Sequence, residues 1–586
     1  MFKLLRNYTK KDLFFIVLVF LLIALQVGLE LKMPDYMREI TKLVETADSD
    51  MDSIYHNGIM MSLCALGSLL SAIVVEFFIA TLSARLSMRI RKKLFEKVMS
   101  LGLNEVKNFS TSSLITRTTN DITQIQMFVS MGTLMLIRAP LTAIWAIIKI
   151  LDKSWQWSAS TGIAVVLLLS VIACVVSIVI PRFKLIQKLT DRINGITREN
   201  LTGIRVVRAF NAEKYQENKF AEVNNKLTRT QLFNQRMLSI LSPFMYFIMQ
   251  AGEIVIFIIG AVLIDKALMG DKIALFGDMV VFSSYALQVI LSFLFLALIF
   301  TMMPRAQVSA NRINEVMNEE ITIKDGEHTK GLTGLKGEIE FRNVSFKYPD
   351  ADEKLLDDIS FTAKQGETVA FIGSTGSGKT SLINLIPRFY DVTDGEVLVD
   401  GVDVRDYKQT ALRDKIGYVP QKAVLFDGSV SDNVDYGGKT DFKVTEDGIK
   451  KAIEIAQAKH FVEKMPKQYK SHIAQGGTNI SGGQKQRLSI ARAIAKQPEI
   501  YIFDDSFSAL DYKTDSKLRQ ALKDNTNGAT TLIVAQRIGT IMHADKILVL
   551  DEGKCVGQGT HRELMKNCEV YQQIAYSQLT KEELDV

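Results

Sequence analysis

The sequence is poor in the residues that form disulfide frameworks and structural metal sites, with four cysteines and six histidines among 586 residues. No two cysteines have the short spacing of a metal site, and two of them lie in apolar runs. A disulfide-rich domain is therefore excluded. We expect all four to be free thiols that pack inside the protein. They are Cys64, Cys174, Cys555 and Cys568.

The chain also lacks a clean small-residue cleavage site after its first apolar run, so we expect this run to be a retained membrane helix rather than a signal peptide. A bilayer span needs about 20 mostly apolar residues. Six stretches meet this requirement, and each should be helical because lipid offers no partner to backbone polar groups. The predicted spans are 13–33, 57–81, 131–150, 158–180, 241–264 and 276–302.

Charge of one sign is not in large excess, since the formal net charge is +6. The basic residues cluster beside the apolar runs, which favours a membrane partner over nucleic acid. Basic clusters flank the second, fourth, fifth and sixth spans, whereas the loop after the first span is acidic. We therefore predict a multi-pass protein of the cytoplasmic membrane with both termini in the cytoplasm. The acidic loop residues are Glu45, Asp48, Asp50 and Asp52.

Two connections, at about 82–130 and 181–240, are too long to be turns and show helical apolar spacing. They predict helices that continue into the cytoplasm, with sharp bends near Asn108–Ser110 and Phe210–Ala212. Such bends are suited to docking on a soluble domain, and the alternative is a pair of freely solvated hairpins.

The apolar runs end near residue 303, and a soluble α/β pattern begins near residue 337. A charged, glycine-bearing stretch lies between them and marks a domain boundary. We predict a transmembrane domain over 1–315, a linker over 316–336 and a nucleotide-binding domain over 337–586.

Several ionisable or polar residues lie within apolar runs, where such groups are costly and often line a transport pathway. For Arg138 and Glu76, the alternative is a place at a helix interface. The residues are Glu76, Arg138, Gln250, Glu253 and Gln288.

The phosphate-binding pattern G-x-x-x-x-G-K-[ST] occurs once between a predicted buried strand and a predicted helix. Its glycines let successive N–H groups point at phosphate oxygens. Lys379 should reach the outer phosphates, and the Thr380 hydroxyl should bind Mg²⁺. A phosphate-bearing ligand and Mg²⁺ are therefore expected. The loop is formed by Gly373, Ser374, Thr375, Gly376, Ser377, Gly378, Lys379 and Thr380.

Two later stretches suit the same chemistry. Residues 500–504 form a predicted buried strand that ends in Asp504, a carboxylate of the kind that helps to hold Mg²⁺. Ser481, Gly482 and Gly483 precede a predicted helix that begins near Gln484, and a helix N-terminus favours an anion.

Together these patterns resemble a half-size ATP-binding cassette (ABC) exporter over essentially the whole chain. The family fold is a membrane α-helical domain of six helices followed by an α/β P-loop cassette. The resemblance implies that each ATP lies between the P-loop of one chain and the signature motif of a second chain, so a partner half-transporter is expected. It further implies an adenine-stacking role for Tyr348 and Mg²⁺ binding by Asp504. Gln421 takes the place of the Q-loop glutamine, which implies a role both in catalysis and in Mg²⁺ binding. The signature motif is Ser481, Gly482, Gly483 and Gln484, and the D-loop covers 508–511.

The sequence departs from the family pattern at two positions that concern catalysis. Asp505 stands where a glutamate usually acts as general base, and its shorter side chain withdraws the carboxylate by about 1.5 Å. Gln536 stands where a histidine is usual, and an amide cannot become a cation. Upstream of the signature, Gln475 and Gly476 replace the usual glutamate and arginine.

These departures predict one subunit of a heterodimer, with a weak ATPase site on its own P-loop and an intact signature motif for its partner. The alternative is a slow homodimer in which Asp505 still acts as the base. The expected function is ATP-driven export of amphipathic small molecules or lipids. The alternatives are a siderophore-type importer and a nucleotide-gated regulator or channel.

Overall fold

The structure, a computed structural model, describes residues 2–45, 51–151, 153–268, 271–436, 444–526, 528–580 and 582–584. The chain forms two compact units. The helical unit comprises Met1–Met99 and Ser110–Glu319, and the cassette unit comprises Ser100–Phe109 and Glu320–Val586. The domain limits predicted from the sequence, 1–315, 316–336 and 337–586, are not tested by this division and remain a prediction. Asp48 and Asp50 of the predicted acidic loop lie outside the described residues.

The helical unit is built mainly from long helices. A π-helical turn at Arg117–Asp121 joins the short helix Thr111–Thr116 to the long helix Ile122–Leu151. Six helical segments within the described residues are long and apolar enough to cross a membrane. Five of the predicted spans lie inside them, and the sixth, 276–302, extends past the end of the segment Lys272–Leu296 but stays within the helix Lys272–Asn318. The helices are α1 (Phe2–Leu5), α2 (Lys10–Glu45), α3 (Met51–Ser100), α5 (Thr111–Thr116), α6 (Ile122–Leu151), α7 (Trp155–Thr202), α8 (Ile204–Ala209), α9 (Glu213–Lys266) and α10 (Lys272–Asn318), while α4 (Leu103–Lys107) belongs to the cassette unit.

Several of these helices are much longer than a bilayer requires. Helix α3 has 50 residues and α9 has 54, which correspond to about 75 and 81 Å at 1.5 Å per residue. The hydrocarbon core is only about 30 Å thick. The excess length agrees with the predicted continuation of the spans beyond the membrane.

The two predicted bends are confirmed. Helix α4 ends at Lys107, and the chain turns through Asn108–Ser110 before α5 begins. Helix α8 ends at Ala209, and the chain turns at Phe210–Ala212, where Asn211 has a φ of 50°. The short helices α4 and α8 were not predicted, because five or six residues carry too little periodicity to indicate a helix.

Arg138 lies at a helix interface in an ion pair with Glu30. The Arg138 Nη2 atom is 3.0 Å from each carboxylate oxygen of Glu30. Gln26 and Ser68 also donate to this carboxylate, each at 3.0 Å. Farther along α2, Asp35 accepts hydrogen bonds from Lys149 and from the Tyr285 hydroxyl, both at 2.7 Å. Charged groups near the ends of the spans are thus neutralised between α2, α6 and α10.

All four cysteines are free thiols. Cys64 and Cys568 are buried and Cys555 is partly buried, as expected. The expectation of inward packing is wrong for Cys174, because its face of α7 is exposed within this chain.

The cassette unit is an α/β structure, and two 3₁₀ turns at Gln468–Lys470 and Gln475–Gly477 complete it. Its strands are β1 (Ile339–Phe346), β2 (Leu356–Ala363), β3 (Thr368–Gly373), β4 (Asp394–Val399), β5 (Val402–Asp403), β6 (Ile416–Val419), β7 (Gly428–Ser429), β8 (His472–Ile473), β9 (Ile500–Asp504), β10 (Thr530–Val534), β11 (Lys546–Asp551) and β12 (Lys554–Gly559). Its further helices are α11 (Lys379–Leu385), α12 (Gln409–Asp414), α13 (Val430–Asp435), α14 (Glu446–Ile455), α15 (Lys459–Glu463), α16 (Gly482–Ala495), α17 (Tyr512–Asn525), α18 (Ile538–Ile541), α19 (His561–Asn567) and α20 (Glu569–Tyr576).

The largest sheet has the strand order β12-β11-β3-β10-β9-β6, in which β12 is antiparallel and the other five strands are parallel. A four-stranded antiparallel sheet has the order β2-β1-β4-β5. Strand β9 is buried along its whole length. Its residues alternate between two hydrophobic cores, with Ile500 and Ile502 in one and Tyr501 and Phe503 in the other.

Candidate nucleotide site

Sheet topology brings the predicted catalytic and phosphate-binding residues together at one edge. Strands β3, β10, β9 and β6 are neighbours and run parallel, so their carboxyl ends meet. The P-loop begins at Gly373 where β3 ends, and Asp504 ends β9 and is followed by Asp505. Gln536 lies two residues beyond β10, and Gln421 lies two residues beyond β6.

The P-loop has the backbone that its glycines predict. Gly378 has a φ of 91°, and a Cβ atom there would lie 2.6 Å from the side chain of Leu356. A Cβ atom on Gly373 would lie 1.9 Å from the Leu550 carbonyl oxygen. The Lys379 ammonium group donates to the carbonyl oxygens of Gly373 and Ser374, at 2.9 and 2.6 Å. Burial lowers the pKa of Lys379, while the charges of Asp505 and Asp504 act in the opposite direction.

Thr380 and Asp504 form the pair expected to bind Mg²⁺. The Thr380 hydroxyl donates to Asp504 Oδ1 at 2.8 Å, and Asp504 is only 2% exposed. Burial raises the pKa of Asp504, although the Thr380 hydrogen bond opposes this rise. A hydroxyl and a carboxylate at the mouth of the P-loop are the hard oxygen ligands that Mg²⁺ prefers. The residues present therefore fit this ion.

Both predicted catalytic glutamines converge on Asp505. Gln536 Nε2 donates to Asp505 Oδ2 at 2.7 Å, and Gln421 Nε2 donates to the same oxygen at 3.1 Å. Asp505 is 7% exposed and has a φ of 46°, a left-handed conformation that aspartate adopts more readily than most residues. Two amide groups thus donate to one of the two oxygens of the carboxylate at the general-base position, which reduces its capacity to accept a proton from water.

Tyr348 lies two residues beyond β1, and its hydroxyl is 2.8 Å from Ser381 Oγ. Its ring packs edge-on against Phe346 and Tyr390. Lys107 covers the ring, with its ammonium nitrogen 4.6 Å from the ring centroid. A base that stacks on this ring must use the opposite face or displace Lys107.

The signature residues cap helix α16. Ser481 is the N-cap, and its hydroxyl accepts the Gln484 N–H at 3.4 Å while Gln484 Oε1 accepts the Ser481 N–H at 2.9 Å. Gln484 therefore has a structural task in addition to any contact with nucleotide. Ser481 and Gly482 are exposed, and the first N–H groups of a helix have no acceptor inside it. This capped helix end is open to an anion from outside the chain.

Sequence reasoning missed Glu105 and Lys107, which lie on α4 within the cassette unit. Glu105 is 3% exposed, and its Oε1 accepts the Thr322 N–H at 3.2 Å and the Thr322 hydroxyl. Burial opposes ionisation of Glu105, but its hydrogen bonds, from Thr322 and from backbone N–H groups, together hold the pKa below its usual range. The only signal in the sequence was the bend predicted directly after these residues.

Comparison with known proteins agrees with this geometry. The family described as the ABC transporter transmembrane region matches residues 16–293, and the family described as ABC transporter matches residues 356–508. An uncharacterized ABC transporter ATP-binding protein of Mycobacterium tuberculosis is 39% identical over 490 residues, which are 83% of each chain. The chain belongs to the ABC transporter family.

Two further similarities concern the whole chain. The ATP-dependent lipid A-core flippase of Pseudomonas aeruginosa is 33% identical over 522 residues, which are 88% of this chain and 84% of the flippase. A bacterial Atm1-family ABC exporter with ATP bound matches the fold with a TM-score of 0.82 and 21% identity, over 98% of this chain and 100% of the exporter. The predictions of a half-size ABC exporter, of its fold class and of ATP binding are confirmed. ATP hydrolysis coupled to transport follows from the cassette family.

Proposed function

We propose that this ABC transporter chain is one half of a heterodimeric exporter whose own P-loop binds ATP but hydrolyses it slowly. The observation that carries the proposal is the convergence of Gln421 and Gln536 on one oxygen of Asp505. A water molecule needs a free carboxylate oxygen within hydrogen-bond reach to lose its proton. Asp505 is short, and its Oδ2 atom already accepts two hydrogen bonds.

The other P-loop residues retain what binding requires. The backbone from Gly373 to Thr380 and the Lys379 ammonium would hold the phosphates, and Thr380, Asp504 and Gln421 would hold Mg²⁺. The ion, when bound, neutralises phosphate charge. This chain's residues orient the nucleotide without supplying an efficient base.

The intact signature motif serves the partner's site. Ser481, Gly482 and Gly483 begin a capped helix that is open to solvent in this chain. A γ-phosphate on a second cassette can approach this helix end, where the dipole and the N–H groups stabilise negative charge. ATP binding then draws the two cassettes together, and hydrolysis at the partner's site resets the cycle.

We further propose that the transported molecules are amphipathic small molecules or lipids, moved out of the cytoplasm across the cytoplasmic membrane. The similarity to a lipid A-core flippase supports this substrate class. The distribution of basic residues supports cytoplasmic termini. Transport into inverted membrane vesicles tests the direction: ATP-dependent accumulation of a fluorescent lipid inside supports export, and ATP-dependent depletion supports import. ATP-dependent ion conductance in a planar bilayer, without solute movement, would instead favour a channel.

The adenine-binding role of Tyr348 gives a first prediction. Tyr348→Ala should weaken photolabelling of this chain by 8-azido-ATP about 10-fold, because base stacking on an aromatic ring contributes about 1–3 kcal/mol. Tyr348→Phe is the matched control, since it keeps the ring and loses only the contact with Ser381. Equal loss in both variants, or none in either, would contradict the stacking role.

A second prediction concerns the bend before α5. Glu105→Ala should lower transport about 10-fold, because hydrogen bonds to a charged group contribute about 1.5–3 kcal/mol to docking of this segment. ATP photolabelling should stay within about two-fold, because Glu105 touches Thr322 rather than the nucleotide site. Thr322→Val removes the hydroxyl but keeps the N–H, so it should show a smaller loss. Normal transport by Glu105→Ala would show that the contact between Glu105 and Thr322 is not needed for transport.

A further inference from the structure

Helix α20 and the residues that follow it are anchored to the cassette by a buried histidine. The His561 Nδ1 atom lies 2.7 Å from the Tyr571 hydroxyl, and its Nε2 atom lies 3.2 Å from the Leu584 carbonyl oxygen. Tyr571 and Leu584 are fully buried and belong to the larger hydrophobic core of the cassette. Gln578 lies between these two anchors in the sequence, so its position on the cassette is defined from both sides.

The side chain of Gln578 bonds the turn between β10 and α18, residues 535–537, which we call the switch turn. Its Nε2 atom donates to the Gln536 carbonyl oxygen at 2.8 Å, and its Oε1 atom accepts the Ile538 N–H at 2.8 Å. The first N–H groups of a helix have no acceptor inside that helix, and Ile538 is the first residue of α18. One amide group thus holds the backbone on both sides of Arg537.

The switch turn carries two side chains that reach the nucleotide edge of the sheet. The Gln536 Nε2 atom donates to Asp505 Oδ2 at 2.7 Å, and the Arg537 Nη2 atom donates to the Ser508 carbonyl oxygen at 3.3 Å. Asp505 stands at the general-base position, and Ser508 begins the D-loop. Both contacts depend on the backbone that Gln578 holds, and a shift of about 1 Å in a positioning element lowers a reaction rate by up to about 100-fold.

We propose that Gln578 is a positioning residue of the nucleotide site, which holds the switch turn so that the side chain of residue 536 stays against residue 505. Among the described residues, the hydrogen bonds of the Gln578 side chain go to the switch turn alone. Gln578 therefore acts through the backbone and not on the nucleotide. This inference rests on the proposed function, in which residues 505 and 536 set the hydrolysis rate, and it adds the residue that sets their geometry.

The first test measures ADP formation in the double variant Asp505→Glu with Gln536→His, which carries the two residues usual in the family. The complete transporter is purified in lipid nanodiscs with the partner's P-loop lysine substituted, so that ADP reports the site of this chain. Adding Gln578→Met, which keeps the length of the side chain but loses both hydrogen bonds, should lower kcat about 10-fold and leave KM for ATP within two-fold. Gln572→Met is the matched control on α20, because Gln572 donates to the Met565 carbonyl oxygen at 2.9 Å rather than to the switch turn, and it should leave both values within two-fold.

The second test measures hydrogen–deuterium exchange in the transporter with the native Asp505 and Gln536, and it needs no turnover. Gln578→Met should speed exchange of the peptide 535–541, which contains the Ile538 N–H, at least five-fold, whereas Gln572→Met should not change it. Unchanged exchange would overturn the proposal. An unchanged kcat in a double variant that has gained activity, or an equal loss of kcat with Gln572→Met, would also overturn it. A double variant that gains no activity counts against the proposed function instead, and the exchange result then decides whether Gln578 holds the switch turn.

Discussion

Gly482→Asp is expected to lower the ATPase rate of the complete transporter about 100-fold. Gly482 follows the N-cap of α16, and a Cβ atom there would meet nothing within 4 Å in this chain. An aspartate in the first turn of a helix is also favourable for the helix itself, by about 0.3–1 kcal/mol. The variant should therefore fold, but its carboxylate would face the γ-phosphate bound to the partner. Losing one group that stabilises developing charge lowers turnover about 100- to 1,000-fold.

Two variants serve as controls for this loss. Gly482→Ala adds a methyl group without charge, so it should retain most of the activity. Asp505→Asn removes the carboxylate of this chain's own site, and in the proposed heterodimer it should change the ATPase rate by less than about two-fold. If Asp505→Asn abolished activity as Gly482→Asp does, this chain's own site would be the competent one.

The second large effect is a gain of function at this chain's own P-loop. The double variant Asp505→Glu with Gln536→His should raise hydrolysis there about 10- to 100-fold, which at its upper end reaches the 10²- to 10⁴-fold that a positioned general base contributes. The added methylene advances the carboxylate by about 1.5 Å. The histidine removes the amide that now lies 2.7 Å from Asp505 Oδ2 and restores a side chain able to carry positive charge. The measurement is ADP formed on this chain when the partner's P-loop lysine has been substituted.

Each single variant separates the two causes of the weak site. Asp505→Glu alone corrects the reach of the base but leaves Gln536 in place. Gln536→His alone removes one of the two amide donors to Asp505 Oδ2 without advancing the carboxylate. Both should recover less than the double variant, since the two residues are in direct contact and their effects are coupled. A double variant with no more activity than the wild type would show that neither residue limits hydrolysis.

The parts of the site that follow from local pattern could be predicted from the sequence. The P-loop, the strand ending at Asp504 and the signature helix each carry their own composition and spacing, and parallel strands bring them to one edge. The shared hydrogen bonds of Gln421 and Gln536 to Asp505 could not be predicted. They depend on the left-handed backbone of Asp505 and on the register of β6, β9 and β10.

Contacts between residues that are far apart in the sequence could not be predicted either. Arg138 could be recognised as costly in a span, but its partner Glu30 lies 108 positions away on α2. Lys107 faces Tyr348 because a short helix places it there, and that helix is too brief for a periodic signal. Such pairs are decided by tertiary packing, which single-sequence patterns do not encode.

The most direct test of unequal ATPase sites is a cryo-EM map of the intact transporter frozen during turnover. Unequal sites predict uncleaved ATP at Lys379 of this chain and ADP in the pocket built on the partner's P-loop. Product found preferentially at Lys379 would contradict it.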